Sequence, residues 1–232
     1  MTTLILVRHG QAAFGSSNYD QLSPLGARQA RALGTYWARL NFSGDAFHSG
    51  DMSRQQDSAK NALAALGRSD QPLRIDPALN EYDFEAILGT YIPMVARDHP
   101  ELGIQDRSFH KNPKLFQAAF EKAIGYWLEN RPHERAAFET WNAFHQRVTR
   151  GIRQLADTDR KTVVAFTSGG VIAVALKTAL GLSDEMTFRL NWRIYNGSVH
   201  TFRMGRSGLS LQGYNSIAHL ELSGDLSLIT FR

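Results

Sequence analysis

The most constraining feature of the chain is a short apolar segment, residues 2–7, followed without a spacer by Arg8, His9 and Gly10. Its length and partly β-branched composition predict a buried strand. Gly10 marks a point where the backbone must turn sharply or let another group approach closely. Open α/β sheets place their ligands at the carboxyl ends of strands, where an arginine can bind anion oxygens and a histidine can act as a nucleophile. A capped strand end with a solvated Arg8 and a packed His9 explains the tripeptide alone equally well.

Strand-like runs and helical segments alternate towards both ends of the chain, and this alternation predicts an α/β sandwich. The predicted strands are residues 46–49, 73–75, 162–166, 198–204 and 209–214. The predicted helices are residues 24–40, 51–66, 113–129, 134–155 and 171–180. Ser23 and Pro24 have the residue types of a helix cap and a first helical position. Gly181 is expected to end the helix that begins near residue 171.

Residues 91–157 differ from the rest because they hold no clear strand. We therefore predict one domain, residues 1–232, with a helical insertion at about residues 91–157. The insertion has aromatic residues at three- and four-residue spacings, which are more typical of a helix core than of a cofactor site. Its polar stretch, residues 97–112, is expected to form a flap.

Composition excludes several kinds of chemistry. The 232 residues include no cysteine, so disulfides, thiolate nucleophiles and cysteine-bound zinc are excluded. The formal net charge of +4 is spread along the chain, which favours small anionic substrates and gives no reason to expect nucleic-acid binding. We see no secretory signal pattern and no apolar stretch long enough to span a membrane, so a cytoplasmic location is expected. The histidines lack metal-ligand spacing, and we expect neither a metal nor another cofactor.

Four polar segments each follow a predicted strand, so that they can converge on one crevice: residues 8–10, 49–54, 79–81 and 167–170. Together they resemble the histidine phosphatase superfamily, the phosphoglycerate-mutase-like proteins. Leu6-Val7-Arg8-His9-Gly10 is similar to the family signature. Further similar segments, in the family's order, are residues 22–30, 49–59, 163–172 and 196–198. The resemblance implies a three-layer α/β/α sandwich with a mostly parallel central sheet and a helical insertion over the active-site side.

The resemblance also implies a phosphohistidine mechanism. His9 would attack phosphorus and become transiently phosphorylated, while Arg8 and Arg54 would neutralise the nonbridging oxygens. Glu81 matches the family's acidic residue that protonates the leaving oxygen, a role that needs a pKa raised towards neutrality by burial. Asp83 and Glu85 lie close enough in the sequence to compete for this role.

Ser168 is the main departure from the family pattern, because relatives have a second histidine at this position. Its hydroxyl can still donate to a phosphoryl group, and the backbone amides of Gly169 and Gly170 at a helix N-terminus favour an anion. A neutral donor is weaker, and losing one such donor costs a factor of about 10²–10³ in rate. Another imidazole could compensate: His48 is the first candidate and His200 the second.

A smaller departure follows Gly10. Gln11 agrees with relatives, but a later phosphate-binding asparagine is replaced by residues 15–17, where Ser16, Ser17 or backbone amides could substitute. The remaining histidines are interpreted as surface or packing residues: His99, His110, His133, His145 and His219.

Three functional hypotheses follow. The first is a phosphatase that hydrolyses a small phosphorylated molecule; a mutase is less favoured, because residues 82–89 do not resemble the longer mutase signature. The second, motivated by Ser168, is a catalytically impaired protein that binds or senses a phosphorylated ligand. The third makes Ser168 the nucleophile of an acyl hydrolase, but Phe166 stands where the required motif has glycine. A homodimer is compatible with the sequence.

Overall fold

A computed structural model describes residues 1–13, 20–104, 109, 112–131 and 138–231. Within these residues, six strands form one sheet in the order β3-β2-β4-β1-β5-β6. β1, β2, β3 and β4 run parallel, whereas β5 and β6 are antiparallel. The strands are β1 (Thr2–Arg8), β2 (Ala46–Ser49), β3 (Leu73–Ile75), β4 (Thr162–Thr167), β5 (Val199–Gly205) and β6 (Gly208–Ser216). The predicted mostly parallel α/β sheet is confirmed.

The helices connect these strands. They are α1 (Pro24–Arg39), α2 (Ser53–Ala65), α3 (Phe84–Asp98), α4 (Pro113–Leu128), α5 (Trp141–Ala156), α6 (Gly169–Leu180), α7 (Asp184–Asn191) and α8 (Ala218–Glu221). Ser23 caps α1 as expected, since its hydroxyl accepts a hydrogen bond from the Gly26 amide at 3.0 Å. Gly181 ends α6 in the left-handed backbone region, with a φ of 68°.

α1 and α2 cover one face of the sheet. Side chains that alternate along the strands point to opposite faces, so Ile5 and Val7 of β1 meet Leu33 and Trp37 of α1. The same core includes Phe47 and Phe166 of the sheet and Ala59, Ala62 and Leu63 of α2. α6, which is buried from Gly169 to Leu176, and the last turns of α5 cover the other face. This arrangement gives three layers.

Two compact units divide the chain: residues 1–81 with 147–232, and residues 82–146. The second unit is helical in its described part, and its core is aromatic. Tyr82, for example, lies 4.9 Å from Trp127 and 5.5 Å from Phe144 between ring centroids. This unit overlaps the insertion expected at residues 91–157, whose role as a domain division stays a prediction.

Three helix predictions differ from the structure. α3 extends through residues 97–98, where the sequence suggested the start of a flap, and Pro93 inside it obscured the helical pattern. α7, which Ser183 caps through the Met186 amide, was not predicted. α5 begins at Trp141 rather than at residue 134, and residues 132–137 lie outside the described part of the chain.

Candidate active site

Backbone hydrogen bonds hold the carboxyl ends of three parallel strands together. The His9 amide after β1 donates to the Thr167 carbonyl of β4 at 2.8 Å, and the Gly50 amide after β2 donates to the Phe166 carbonyl at 3.2 Å. Gly10 then turns against the backbone of Gly26 in α1. A Cβ at position 10 would lie 2.7 Å from the Gly26 carbonyl carbon, a distance that real Cβ atoms essentially never show. The site therefore starts from a turn that requires glycine.

His9 is buried with both ring nitrogens oriented. Nδ1 lies 2.6 Å from the Gly10 carbonyl oxygen, and Nε2 accepts a hydrogen bond from Arg54 Nε at 3.2 Å. Because a carbonyl can only accept, the ring proton belongs on Nδ1 and the lone pair on Nε2. Burial, reinforced by the charges of Arg54 and Arg8, lowers the pKa of His9 well below 6.5. His9 is thus a neutral imidazole whose Nε2 lone pair faces a guanidinium.

Arg54 is placed by the first turn of α2 and by two further contacts. Its Nη1 donates to Asp20 Oδ1 at 2.7 Å. Its carbonyl accepts from Ser58 Oγ at 2.7 Å, and the same Oγ accepts from the Gly10 amide at 3.0 Å. Ser58 therefore connects the helix that carries Arg54 to the turn that follows His9.

Arg8 is anchored from the opposite side by backbone carbonyls. Its Nη1 donates to the carbonyl oxygens of Ile194 and Phe231, the latter at 3.0 Å. A Cβ at Gly169, the first residue of α6, would lie 3.8 Å from Arg8 Nε and would collide with the side-chain oxygen of Asn191. Gly169 and Arg8 are therefore close neighbours, and a side chain at position 169 would require the Asn191 side chain to move.

Glu81 lies at the N-terminus of α6. Its Oε2 accepts a hydrogen bond from the Gly170 amide at 3.0 Å, in a position where the helix dipole stabilises a negative charge. The preceding 3-10 turn, Pro77–Leu79, is held by Arg147 Nη1, which donates to the carbonyls of Pro77, Ala78 and Asn80 at 3.0–3.2 Å. The Gly170 amide, predicted to bind an anion, already binds the anion of this side chain.

Ser168 is fully buried and makes a defined contact. Its Oγ accepts from Gln55 Nε2 at 2.8 Å, and Gln55 Nε2 also donates to the Leu79 carbonyl at 3.1 Å. The neighbouring Thr167 hydroxyl donates to the same Leu79 carbonyl at 2.6 Å. Gln55 thus joins the end of β4 to the turn that precedes Glu81.

The two candidate compensating histidines do not supply a second charged imidazole. His48 follows Phe47 in β2 and therefore points to the opposite face of the sheet, where it lines a cavity of about 190 Å³ with Leu155 of α5 and with Thr158 and Arg160 before β4. The residues that line this cavity do not include Arg8, His9 or Arg54, so the structure places His48 outside the group of residues around His9.

His200 lies on β5 on the same side of the sheet as Arg8, but it is closed in by its own bonds. Ser198 Oγ donates to the Tyr195 carbonyl, so His200 Nε2 must donate to Ser198 Oγ at 2.9 Å, while Nδ1 accepts from the Asn215 amide at 3.2 Å. Burial, with the charge of Arg8, lowers the pKa of His200 to about 3. It is a neutral core histidine.

The remaining candidate site residues either make other contacts or lie outside the part of the chain that the structure describes. Gln11 accepts from the hydroxyl of Ser23, the cap of α1, at 3.2 Å. Asp83 caps α3 through the Ala86 amide at 3.0 Å, and Glu85 is exposed in the first turn of α3. Ser16 and Ser17, and likewise His110 and His133, lie outside the described residues.

Four residues of this arrangement were not singled out from the sequence: Asp20, Gln55, Ser58 and Arg147. Gln55 and Ser58 lie within the segment 49–59 that resembles the family, but nothing local distinguishes Gln55 from Gln56. Asp20 and Arg147 act across 34 and up to 70 residues of sequence. Of these four residues, only Ser58 could have been found from the sequence, because the helical period of α2 places it on the same face as Arg54.

Two absences concern the residues that the structure describes. Among them, no group of three or more histidine, aspartate and glutamate side chains is arranged to hold a metal ion. None of the helices in this part of the chain is both long and apolar enough to cross a membrane.

The fold and this site define an α/β protein with a buried histidine and two arginines at the carboxyl edge of a mostly parallel sheet. The family model of the histidine phosphatase superfamily (branch 1) matches residues 4–115 and 102–217, and the chain belongs to this superfamily. A curated relative, the 2,3-bisphosphoglycerate-dependent phosphoglycerate mutase of Sinorhizobium fredii (strain NBRC 101917 / NGR234), is 32% identical over 93 residues. That match covers 38% of this chain and 44% of the relative's length.

Solved structures are similar over nearly the whole chain. The alpha-ribazole phosphatase from Shigella flexneri matches with a TM-score of 0.63 and 21% identity, covering 93% of this chain and 97% of that one. The phosphoglycerate mutase from Bacillus anthracis str. Sterne matches with a TM-score of 0.65 and 16% identity, covering 97% of each chain. At these identities the similarity establishes the fold alone.

Proposed function

We propose that the protein is a phosphatase that hydrolyses a small phosphate monoester through a phosphohistidine intermediate on His9. Membership of a superfamily of phosphatases and mutases supports a phosphoryl-transfer enzyme. The observation that carries the proposal is the state of His9, a neutral imidazole whose Nε2 lone pair faces Arg54. A neutral nitrogen is the form that can form a bond to phosphorus.

In the first step, the hydrogen bond from Arg54 Nε to His9 Nε2 breaks as the substrate enters, and the freed Nε2 lone pair attacks phosphorus in line with the ester bond. The new N–P bond forms as the P–O ester bond breaks, and the proton on Nδ1 stays hydrogen-bonded to the Gly10 carbonyl. Arg8 and Arg54 neutralise the nonbridging oxygens, where charge is spread in the transition state. Glu81 gives a proton to the departing alkoxide, so the negative charge of the bound phosphate ester must first convert this carboxyl, which the Gly170 amide stabilises as an anion, to its protonated form.

In the second step, a water molecule attacks the phosphohistidine. The Glu81 carboxylate takes a proton from this water while the water oxygen bonds to phosphorus and the N–P bond breaks. Inorganic phosphate leaves, and His9 and Glu81 return to their starting protonation states. The contact of Glu81 with the Gly170 amide holds its carboxylate beside the residues that follow β4.

Ser168 is assigned the place of the family's second histidine. Because its oxygen accepts from Gln55, its own hydroxyl hydrogen remains to donate to a phosphoryl oxygen. This donor is neutral, so we expect slower turnover than with a charged donor, with the factor of about 10²–10³ for complete loss of a donor as the upper limit. Slow turnover is therefore part of the proposal.

A panel of phosphate monoesters, assayed for released phosphate with wild type and His9→Ala, tests the proposal. We expect activity on at least one monoester and its loss in His9→Ala. His48→Ala is the matched control, since it removes a histidine from the separate cavity and should leave activity unchanged. Wild-type turnover that survives in His9→Ala would contradict the mechanism.

The second candidate is a protein that binds a phosphorylated ligand without efficient turnover, and the neutral Ser168 favours it. Phosphate binding measured by calorimetry, together with the absence of phosphate release from every monoester, would support this candidate. A mutase would instead move the label of a phosphorylated substrate to a second hydroxyl, so product analysis in the same assay separates it from a phosphatase.

A further inference from the structure

Asp20 and Arg54 form an ion pair beside His9, the proposed nucleophile; the arginine is buried and the aspartate is partly exposed. Asp20 Oδ1 accepts from Arg54 Nη1 at 2.7 Å, and Oδ2 accepts from the Ser53 amide at 2.8 Å. The Arg54 side chain is 6% exposed, and that of Asp20 is 35% exposed. One carboxylate therefore contacts both the guanidinium and the first turn of the helix that carries it.

The rest of α2 does not provide this anchoring. Met52, the residue at the cap position, makes no side-chain capping hydrogen bond. Asp20 supplies the missing acceptor to the Ser53 amide from a segment 33 residues earlier in the chain. Its contact thus holds the start of α2 as well as the orientation of Arg54.

The geometry of the guanidinium separates its two sides. Arg54 Nε donates to His9 Nε2 at 3.2 Å, while Nη1 points to Asp20. Since the group is planar and rigid, a partner that holds Nη1 also sets the direction of Nε. Arg8 is held in the same way, by carbonyl oxygens on its Nη1.

From these contacts we propose that Asp20 is a positioning residue for the phosphoryl-transfer reaction. It holds Arg54 so that the Nε side of the guanidinium faces the point where His9 Nε2 meets phosphorus. This inference rests on the proposed function, and it assigns to Asp20 no contact with the substrate. Because the fit that matters is the fit to the transition state, losing the anchor should impair turnover more than it impairs ground-state binding.

Asp20→Asn tests this inference, because an asparagine oxygen can still accept from the Ser53 amide while the charge opposite Arg54 is lost. We expect kcat to fall about tenfold or more with a smaller change in KM. We also expect the dissociation constant for orthovanadate, which mimics the five-coordinate transition state, to rise about tenfold, while that for inorganic phosphate changes less than about threefold.

Asp225→Asn is the matched control. Asp225 likewise pairs with an arginine, Arg28 at 2.5 Å, and accepts from a backbone amide, that of Ser227 at 3.0 Å, and its side chain is 37% exposed. These partners are different from those of Asp20. The Asp225→Asn variant should lose about as much thermal stability as Asp20→Asn, and it should keep the kcat and the vanadate affinity of the wild type. Asp20→Asn behaving like Asp225→Asn would reduce Asp20 to a structural role and overturn the inference.

Two other outcomes are also decisive. Tighter phosphate binding in Asp20→Asn with unchanged kcat would mean that the carboxylate competes with the ligand, and would overturn the positioning role. Calorimetric binding of vanadate and phosphate does not need turnover. If wild type binds both ions but hydrolyses no monoester, the proposed function fails, while the vanadate comparison still decides the role of Asp20.

Discussion

At the scale of single residues, the site depends on protonation states set by hydrogen bonds. The Gly10 carbonyl fixes the proton of His9 on Nδ1, and burial keeps the ring neutral. Ser168 is oriented in the same way, because Gln55 donates to its oxygen. Each of these groups is buried, so each contact matters more than it would in water.

Ser168→Ala should lower the free energy of unfolding by about 1–2 kcal/mol. Gln55 Nε2 donates to two buried acceptors, Ser168 Oγ and the Leu79 carbonyl, and the substitution removes the first of them. Urea denaturation of wild type and variant measures this difference. The exposed Ser210, which donates to the Arg203 carbonyl at 3.2 Å, provides the control: Ser210→Ala should change stability by less than about 0.5 kcal/mol. Equal effects of the two substitutions would contradict the importance of the Gln55 contact.

At the scale of elements, the site depends on how closely the turn after β1 approaches α1. Gly10 packs against the Gly26 backbone, and Ser58 of α2 receives the Gly10 amide. The turn therefore sets the distance between β1, α1 and α2. Since its neighbour is backbone, no side-chain rotation can relieve a larger residue at position 10.

Gly10→Ala should destabilise the protein by at least about 2 kcal/mol, because a Cβ would overlap the Gly26 carbonyl. Denaturant midpoints measure the loss, and the proposed phosphatase activity should fall with it as His9 shifts. Gly89→Ala is the opposite case: no atom lies within 4 Å of a Cβ built in the middle of α3, so alanine should stabilise by about 0.5–1 kcal/mol. A Gly10→Ala variant as stable as wild type would contradict the close approach.

Local signals in the sequence are sufficient to predict an element where its boundary is set by neighbouring residues. The apolar run before Arg8 predicts β1, and Ser23 with Pro24 predicts the start of α1. Local signals cannot predict a side-chain contact between residues that are distant in the sequence. Nothing near Asp20 indicates its contact with Arg54, and nothing near Arg147 indicates its contact with the turn before Glu81. His48 shows the same limit, because the face to which a strand residue points depends on register with its neighbours. α3 was missed because Pro93 interrupts its pattern.

At the scale of the whole molecule, burial of neutral histidines links folding to pH. His9, His200 and His219 are buried among the described residues. Burial lowers the pKa of all three, to about 3 for His200 and about 4 for His219. In the unfolded chain these rings titrate near 6.5, so below that pH the unfolded state binds protons that the folded state does not.

The free energy of unfolding should therefore fall as the pH drops from about 6.5 towards 4, and these histidines should contribute no change above that window. Each buried histidine contributes a slope of about 1.4 kcal/mol per pH unit at most. His200→Gln keeps one hydrogen-bond acceptor and one donor but removes one titrating group. It should therefore reduce the pH slope of the free energy of unfolding by the contribution of one proton, about 1.4 kcal/mol per pH unit at most. Urea denaturation at a series of pH values measures it, and an unchanged slope in His200→Gln would contradict the neutral state of His200.

The central claim is that His9 Nε2 bonds to phosphorus. Rapid quenching of wild type with a labelled phosphate monoester, followed by peptide mapping, tests this claim most directly. We predict an acid-labile phosphoramidate on the peptide that carries His9, formed before steady-state release of phosphate and absent from His9→Ala. Label on Ser168 or on any residue other than His9 would contradict the account.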